Sequence, residues 1–169
     1  MSFEKIPCEN LKENAFDLIG KQWMLICASD GKKVNAMTAS WGGLGVMWKK
    51  NVSFCVVRPH RYTYEFMEKT DTYTFSFLPE GYEKTYELFG SKSGRDTDKI
   101  AASGLETVSD GGAVYFKEAR LALVMRKLYY QDIDPTGFVE REIDKNYPAK
   151  DYHRMYIGEI TGCMRKIAP

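Results

Sequence analysis

The sequence has few of the residues that build metal sites. It contains two histidines, His60 and His153, and four cysteines that stand far apart. No CxxC pair occurs, and no group of cysteines and histidines has the spacing of a zinc site. A multi-histidine metal centre is therefore excluded, and no metal is expected. Cys27, Cys55 and Cys163 lie in apolar segments, which favours buried, reduced thiols.

The motifs of several common enzyme classes are also missing. No GxGxxG opens a helix, no GxxxxGK[ST] occurs, and there is no GxSxG. The sequence therefore lacks the signatures of a Rossmann dinucleotide fold, a P-loop and a nucleophile elbow.

Charge of either sign is not in excess, because 24 basic residues balance 23 acidic ones to a net charge of +1. We therefore expect no nucleic-acid partner and no binding to an anionic membrane surface. The charge balance does not exclude a local basic pocket. No run of 18 apolar residues occurs, so no membrane span is expected. The N-terminal segment lacks the basic start and apolar core of a signal peptide, and we expect a cytoplasmic location.

The length of 169 residues, 44% of them hydrophobic, predicts one globular domain over 1–169 with a lead-in over 1–20. Strands are predicted over 22–29, 34–41, 52–57, 72–78, 113–116, 119–130 and 153–163. Short helices are predicted over 62–69, 82–90, 99–102 and 140–146. Because the strands come in neighbouring pairs, an antiparallel barrel with peripheral helices fits better than a doubly wound sheet.

Two groups of glycines are given structural roles by this pattern. Gly42, Gly43 and Gly45 are predicted to break regular structure, since glycine alone reaches positive φ without cost. Gly90 is predicted to end the helix over 82–90 as its C-cap.

The segment 35–41 is a strand that ends in small residues before Trp41. Small side chains at a strand end let a flat ring approach the backbone, whose N–H groups then bond to ring carbonyls and nitrogens. An ordinary half-buried strand that ends in a loop is the competing interpretation.

A basic, hydroxyl-bearing cluster follows the strand over 52–57. Arg58, Arg61, Tyr62 and Thr63 together resemble a phosphate seat, because the planar guanidinium matches phosphate oxygens. A helix beginning near Tyr62 would add oriented N–H groups. A solvated basic turn is the alternative.

The polar run SKSGRDTDK over 91–99 is a third candidate segment. Lys92, Ser93, Arg95 and Lys99 are able to close over an anion, and Gly94 lets the backbone come close. A solvated loop is the competing interpretation of this run. His153 stands at the start of the last predicted strand, where a capping or surface histidine is the ordinary alternative to a functional one.

Taken together and in order, four segments resemble one family. NAMTASWGGLGVMW, VVRPHRYTYEFME, GSKSGRDTDK and YHRMYIGEI are similar to the flavin reductase-like, FMN-binding split-barrel proteins, most of all to the flavoredoxin-type branch. The resemblance spans about residues 11–160. It implies a mainly β fold: a six-stranded antiparallel split barrel of Greek-key type with peripheral short helices. It also implies a homodimer with FMN near the interface.

The resemblance also implies roles for individual residues. The residues implied to contact the flavin ring, largely through backbone atoms, are Met37, Thr38, Ala39, Ser40 and Trp41. Those implied to bind the phosphate and the ribityl chain are Arg58, Arg61, Tyr62 and Thr63. Those implied to close the site are Ser93, Gly94, Arg95 and Lys99. His153 is a candidate neighbour of a nicotinamide, and no protein nucleophile is expected because the flavin carries the chemistry.

Three functions are compatible with this pocket. The first is an NAD(P)H-dependent flavin reductase, the second an FMN-dependent electron carrier that exchanges electrons with a redox protein. The third is a barrel with another ligand, as in the pyridoxal-phosphate oxidase relatives. The sequence shows no nicotinamide motif, and it leaves the donor, the acceptor and the redox potential open.

Overall fold

The computed structural model describes residues 2–167, which form ten strands, three α-helices and four shorter helical turns. The strands are β1 (Phe3–Ile6), β2 (Met24–Ser29), β3 (Val34–Ala39), β4 (Gly42–Met47), β5 (Lys50–Val57), β6 (Thr72–Phe77), β7 (Thr107–Asp110), β8 (Ala113–Phe116), β9 (Leu121–Asp132) and β10 (Arg154–Lys166). The helices are α1 (Tyr62–Lys69), α2 (Glu83–Ser91) and α3 (Lys99–Ser103). The shorter turns are Cys8–Asn10, Phe16–Lys21, Pro135–Gly137 and Arg141–Asn146.

One antiparallel sheet curls on itself to form a barrel. Its strands follow the order β3-β2-β6-β9-β10-β5-β4, and β1 also pairs with β10. The end strands β3 and β4 are separated in the chain by only Ser40 and Trp41. In a flat sheet these strands would lie about 29 Å apart, whereas so short a connection spans about 11 Å at most. The sheet must therefore curl until its two ends meet at Ser40 and Trp41.

Strand β10 organises the barrel because it pairs with three neighbours. Its first half pairs with β5, its last residues pair with β1, and β9 runs along its other edge. Register shifts with β9 occur at Ile157/Gly158 and at Ile160/Gly162. A Cβ on Gly158 would lie 2.6 Å from Tyr73 Oη, so glycine is needed where the tyrosine crosses the interior.

Apolar residues fill both sides of β6. Tyr73, Phe75 and Phe77 lie in the barrel interior. On the other face, Thr74 Oγ1 donates to the carbonyl of Val114 at 2.6 Å. Strand β8 and helix α2 cover this outer face with a second apolar cluster. Because the polar side chains of β6 find partners beneath β8, both faces of the strand are buried at low cost.

The predicted fold class, a mainly β antiparallel barrel with peripheral helices, is confirmed. The strand number differs, since the main sheet has eight strands rather than six. Strands β1 and β4 account for the difference, because β1 is short and largely polar and the glycines of β4 were interpreted as a break. No helix within residues 2–167 is long and apolar enough to cross a membrane.

Two glycine predictions are wrong. Gly42, Gly43 and Gly45 do not break regular structure but form strand β4. A Cβ on Gly42 would lie 2.5 Å from the carbonyl oxygen of Phe54, and one on Gly43 would collide with the Phe54 ring. These two glycines thus serve the close packing of β4 on β5, not a positive φ. Gly90 is not a C-cap either, because α2 continues to Ser91.

Candidate functional site

A cavity of about 190 Å³ lies at the seam where β3 and β4 meet. We call it the ring pocket, because every predicted ring contact lines it. Its lining residues are Met37, Thr38, Ala39, Ser40, Trp41, Val56, Arg58, Arg61 and His153. Ser40 and Trp41 lie outside the strands, so the turn between the two sheet ends forms one wall.

The backbone alternation of β3 sets the sides of the ring pocket. Met37 is buried in the barrel core, whereas Thr38 turns to the other face and donates to the carbonyl of Tyr86 in α2 at 2.5 Å. Trp41 is 46% exposed and lies at the pocket mouth. This wall is therefore held to the barrel core through Met37 and to α2 through Thr38, and it is open to solvent at Trp41.

A second cavity of about 280 Å³ adjoins the first. We call it the anion pocket, because the predicted phosphate and closing residues meet there. Its lining residues are Asn35, His60, Arg61, Tyr62, Thr63, Gly90, Ser91, Lys92, Ser93, Gly94, Arg95 and Lys99. Arg61 lines both pockets. The ring pocket and the basic anion pocket therefore meet at one guanidinium.

Two cations, half-buried Arg61 and buried Lys99, face the anion pocket with only carbonyl groups as hydrogen-bond partners. Arg61 donates from Nη1 to the carbonyl of Gly90 and from Nη2 to that of Phe89, both at 3.0 Å. Lys99 Nζ donates to Ala36 O at 2.7 Å and to Phe89 O at 3.4 Å. The accepting carbonyls of Phe89 and Gly90 lie in the last turn of α2, where the helix dipole favours cations.

The charge of these two groups is only partly compensated. Neither Arg61 nor Lys99 forms an ion pair within the described part of the chain. Burial, and then the charge of Arg61, lowers the pKa of Lys99 to about 8. Burial, and then Arg58, lowers the pKa of Arg61. Each group keeps donors that its carbonyl partners leave unused, so an anion fits this pocket by charge and by hydrogen bonding.

The first turn of α1 adds to the anion pocket. Tyr62 and Thr63 begin the helix and line the pocket, and no side chain caps this N-terminus. Its free N–H groups carry a partial positive charge, which favours an anion. Buried Thr63 is held by Asn35, whose Nδ2 donates to Thr63 Oγ1 at 2.8 Å.

Gly94 allows the loop over 92–98 to approach Asn35 and Tyr62 in the anion pocket. A Cβ at Gly94 would collide with Asn35 Oδ1 and would lie 3.0 Å from Tyr62 Cδ1. Arg95 stacks over the Tyr62 ring at 4.9 Å and pairs with Glu65 at 2.6 Å. The loop is thus closed on α1, with the glycine as its contact point.

Arg58 lies in the ring pocket and is the one predicted phosphate residue that does not line the anion pocket. Its Nη1 donates to both carboxylate oxygens of Asp151 at 2.7 and 2.8 Å, and its Nη2 donates to the carbonyl of Asn146 at 2.8 Å. Arg58 therefore fastens the segment 133–152 to the end of β5. Its predicted phosphate contact stays a prediction.

His153 closes the inner end of the ring pocket. Its ring lies 5.2 Å from that of Trp41, and its Nδ1 lies 2.8 Å from Tyr147 Oη. Burial, and then the charge of Arg58, lowers the pKa of His153 to about 4, although Asp151 opposes the shift. The imidazole is therefore neutral at physiological pH.

The structure thus brings the thirteen predicted cofactor residues and His153 into two adjoining pockets. Sequence reasoning missed Asn35, Tyr147 and Asp151. Asn35 carries the one amide in the apolar strand β3, which is a usable signal. Tyr147 and Asp151 come from an irregular segment whose sequence has no periodicity, so nothing marked them.

Comparisons with known proteins identify the family and the fold of the chain. The model of the flavin reductase like domain family matches residues 16–166. A search among curated proteins finds no significant match. An FMN-binding domain of a flavin reductases-like enzyme from Shewanella baltica superposes with a TM-score of 0.70 at 17% identity, covering 96% of this chain and 76% of that chain.

Two further solved structures share the fold. Flavoredoxin of Desulfovibrio vulgaris has a TM-score of 0.67 at 22% identity, covering 85% of this chain and 69% of that chain. An NADH:FAD oxidoreductase from Streptomyces globisporus has a TM-score of 0.65 at 17% identity, covering 86% of this chain and 75% of that chain. The predicted split-barrel class is the fold of these proteins.

Proposed function

Because the chain belongs to the flavin reductase like domain family, we propose that it binds FMN and acts as a flavin reductase with NADH or NADPH as donor. One observation carries the proposal: the ring pocket and the anion pocket meet at Arg61. A flat ring joined to a phosphate matches this pair of spaces. When bound, FMN supplies the electron-transfer chemistry.

The turn between β3 and β4 would hold the ring. Ser40 and Trp41 lie outside the strands, so their backbone groups are free to bond to ring carbonyls and nitrogens. The hydrogen bond from Thr38 to α2 and the burial of Met37 fix this wall in place. A rigid wall orients a ligand at low entropic cost.

Arg61 and Lys99 would hold the phosphate. Arg61 is already anchored by the last carbonyls of α2, and Lys99 by Ala36 O of β3, so little side-chain freedom is lost when an anion binds. The uncapped first turn of α1, which follows Arg61 directly, supplies further N–H donors. Ser93 and Gly94 close the loop over this seat.

His153 would act on the nicotinamide side as a neutral hydrogen-bonding group. It lies against the exposed Trp41 in the ring pocket and does not line the anion pocket. Tyr147 holds its Nδ1, which leaves Nε2 as the remaining polar atom of the ring. A neutral imidazole positions a carboxamide without adding charge beside it.

The test is anaerobic stopped-flow reduction of the FMN-loaded protein, with NADH and NADPH in separate runs. We expect loss of the oxidised flavin absorbance with at least one nicotinamide, faster than with the same concentration of free FMN. If neither nicotinamide accelerates the loss, the reductase proposal fails.

An electron carrier is the second candidate, and the open mouth of the ring pocket favours it. Trp41 stands exposed at the pocket mouth, so a protein donor has access to the pocket edge. In the same apparatus, a carrier is reduced by a reduced ferredoxin and not by either nicotinamide. The two functions therefore give opposite results with one protein sample.

We also propose that the protein is a homodimer that associates through the tip and outer side of the β4–β5 hairpin. Met47, Trp48, Phe54 and Tyr129 form an exposed apolar surface there, which we call the hairpin face. Phe54 and Tyr129 lie in one cross-strand row through Ile157, and the rings of Trp48 and Tyr129 are 6.2 Å apart. Aromatic side chains and Met are enriched at such contacts.

A further inference from the structure

Cys8 and Cys163 bring two thiols together from opposite ends of the chain. Their sulfur atoms lie 3.0 Å apart. The pairing of β1 with β10 fixes this contact, since Ile6 lies opposite Cys163 and Cys8 follows Ile6 by two residues. A disulfide places its sulfurs about 2.05 Å apart, so an approach of about 1 Å forms the bond.

The two thiols differ in access. Cys163 is fully buried, and burial followed by the neighbouring Cys8 raises its pKa. Cys8 is half-buried and its Sγ faces the carbonyl of Ile160 at 3.8 Å. Cys8 is therefore the thiol that a reagent in solution reaches first.

We propose that Cys8 and Cys163 form a reversible disulfide, with a small-molecule disulfide as the oxidant. The Cys8 thiolate attacks one sulfur of the oxidant, breaks its S–S bond and releases one small thiol. Cys163 then loses its proton and attacks Cys8 Sγ, which forms the protein disulfide and releases the second small thiol, and the two thiol protons end on the two released thiols. The protein loses two electrons and the reagent gains them.

The remaining cysteines do not compete for this reaction. Cys27 and Cys55 are buried, and no other thiol contacts them within residues 2–167. Burial raises the pKa of Cys27 to about 12. The bond would join the turn after β1 to β10, and neither sulfur lines the ring pocket or the anion pocket. The proposal therefore stands apart from flavin binding.

The test uses the full-length protein equilibrated with oxidised glutathione, quenched in acid, unfolded and alkylated. We expect two of the four cysteines to escape alkylation, and peptide mass analysis to find Cys8 joined to Cys163. Reduced glutathione in excess should restore all four alkylated thiols. The urea midpoint of unfolding should rise on oxidation, because the bond constrains the unfolded chain.

Two variants remove one partner of the bond each, and a third variant serves as the control. Cys8→Ser and Cys163→Ala should each abolish the linked peptide and the oxidant-dependent shift in the urea midpoint. Cys55→Ala should leave both intact, since Cys55 has no sulfur neighbour in this region. Four alkylated thiols in the oxidised wild type, or a stable glutathione adduct on Cys8, would overturn the proposal.

Discussion

Lys99 Nζ lies 2.7 Å from the carbonyl oxygen of Ala36, the residue that precedes Met37 in the wall of the ring pocket. This hydrogen bond joins α3 to β3, and it places a cation that is 4% exposed in the wall of the anion pocket. The second cation, Arg61, shares the carbonyl of Phe89 with it. The anion pocket therefore holds two neighbouring positive charges that an anion would stabilise.

The first prediction concerns the pH dependence of FMN affinity. In the free protein the pKa of Lys99 is lowered to about 8 by burial and Arg61. A bound phosphate raises that pKa, so binding takes up a proton in the range above 8. FMN affinity should therefore be highest between about pH 6, where the phosphate becomes a dianion, and pH 8, and should fall as pH rises further.

The measurement is a titration of the protein with FMN, followed by quenching of flavin fluorescence at several pH values. Riboflavin has no phosphate and serves as the matched ligand, whose affinity should not follow this fall. Lys99→Met removes the titrating group and should lower FMN affinity by roughly 1.5–3 kcal/mol at pH 7. A fall with pH that persists in Lys99→Met would assign the effect to another group.

The second prediction separates Arg61 from Arg58. Arg61→Ala should weaken FMN by roughly 1.5–3 kcal/mol and riboflavin by less, because Arg61 lines both pockets but its charge acts mainly on the phosphate. Arg58→Ala should weaken FMN and riboflavin alike, since Arg58 lines the ring pocket and its loss also releases Asp151 and the segment 133–152 from the end of β5.

Asp151→Asn is the matched control for Arg58, because it removes the ion pair and leaves the arginine in place. If Arg58 acts through this pair, both variants should weaken the two ligands to a similar extent. A loss with Arg58→Ala that is confined to FMN would instead support the phosphate contact predicted from the sequence.

Much of the fold follows from local sequence patterns. Residues 72–78 alternate in polarity and form β6, and the hairpin of β2 and β3 turns at Gly31, which has φ +85°. The prediction of a break at Gly42 and Gly43 was wrong because glycine has two structural roles. It permits positive φ, and it also lets a neighbouring strand approach, and only the position of Phe54 tells them apart.

The residues that line the candidate site were easier to predict than the residues that hold them in place. The segment 35–63 and Ser93–Lys99 were recognised as neighbours because four segments matched one family in order. The role of Arg58 was not visible, since its partner Asp151 lies 93 residues further along the chain. An ion pair between distant irregular segments leaves no periodic pattern in a sequence.

The third prediction concerns acid stability through His153. Its pKa in the folded protein is lowered to about 4, against 6.5 when it is exposed. The unfolded state therefore binds more protons between these values, and this contribution is fully present above pH 6.5 and lost as pH falls towards 4. The loss amounts to about 3 kcal/mol.

Urea unfolding from pH 4 to 7 measures this loss when the wild type is compared with His153→Asn, which does not titrate. The difference between their unfolding free energies should shrink as the pH falls. An NMR titration of His153 would measure its pKa directly. A His153 titration near pH 6.5 would contradict the neutral imidazole.

The fourth prediction concerns the hairpin face. The wild type should elute as a dimer in size-exclusion chromatography with light scattering, and Trp48→Asp should shift it to a monomer. Trp48 has φ +52°, a conformation that aspartate tolerates, so the change adds charge without new backbone strain. Val139→Asp is the control, since Val139 is 99% exposed and lies outside this face. A monomeric wild type would remove the dimer proposal.

The fifth prediction concerns the contact point of the closing loop. Gly94→Ala should place a methyl group against Asn35 Oδ1, which cannot give way because Asn35 is buried and bonded to Thr63. The loop over 92–98 must then lift from the anion pocket. FMN affinity should fall at least tenfold, about 1.4 kcal/mol, while the unfolding free energy changes less, because the loop adds little to the core.

Gly137→Ala is the matched control, because its Cβ would meet no atom within 4 Å and its φ is not positive. Its FMN affinity should equal that of the wild type. The variant Asn35→Ser, combined with Gly94→Ala, shortens the side chain that collides and should recover part of the lost affinity. Recovery would tie the loss to this one contact, and equal affinity of Gly94→Ala and wild type would show that the loop does not touch the ligand.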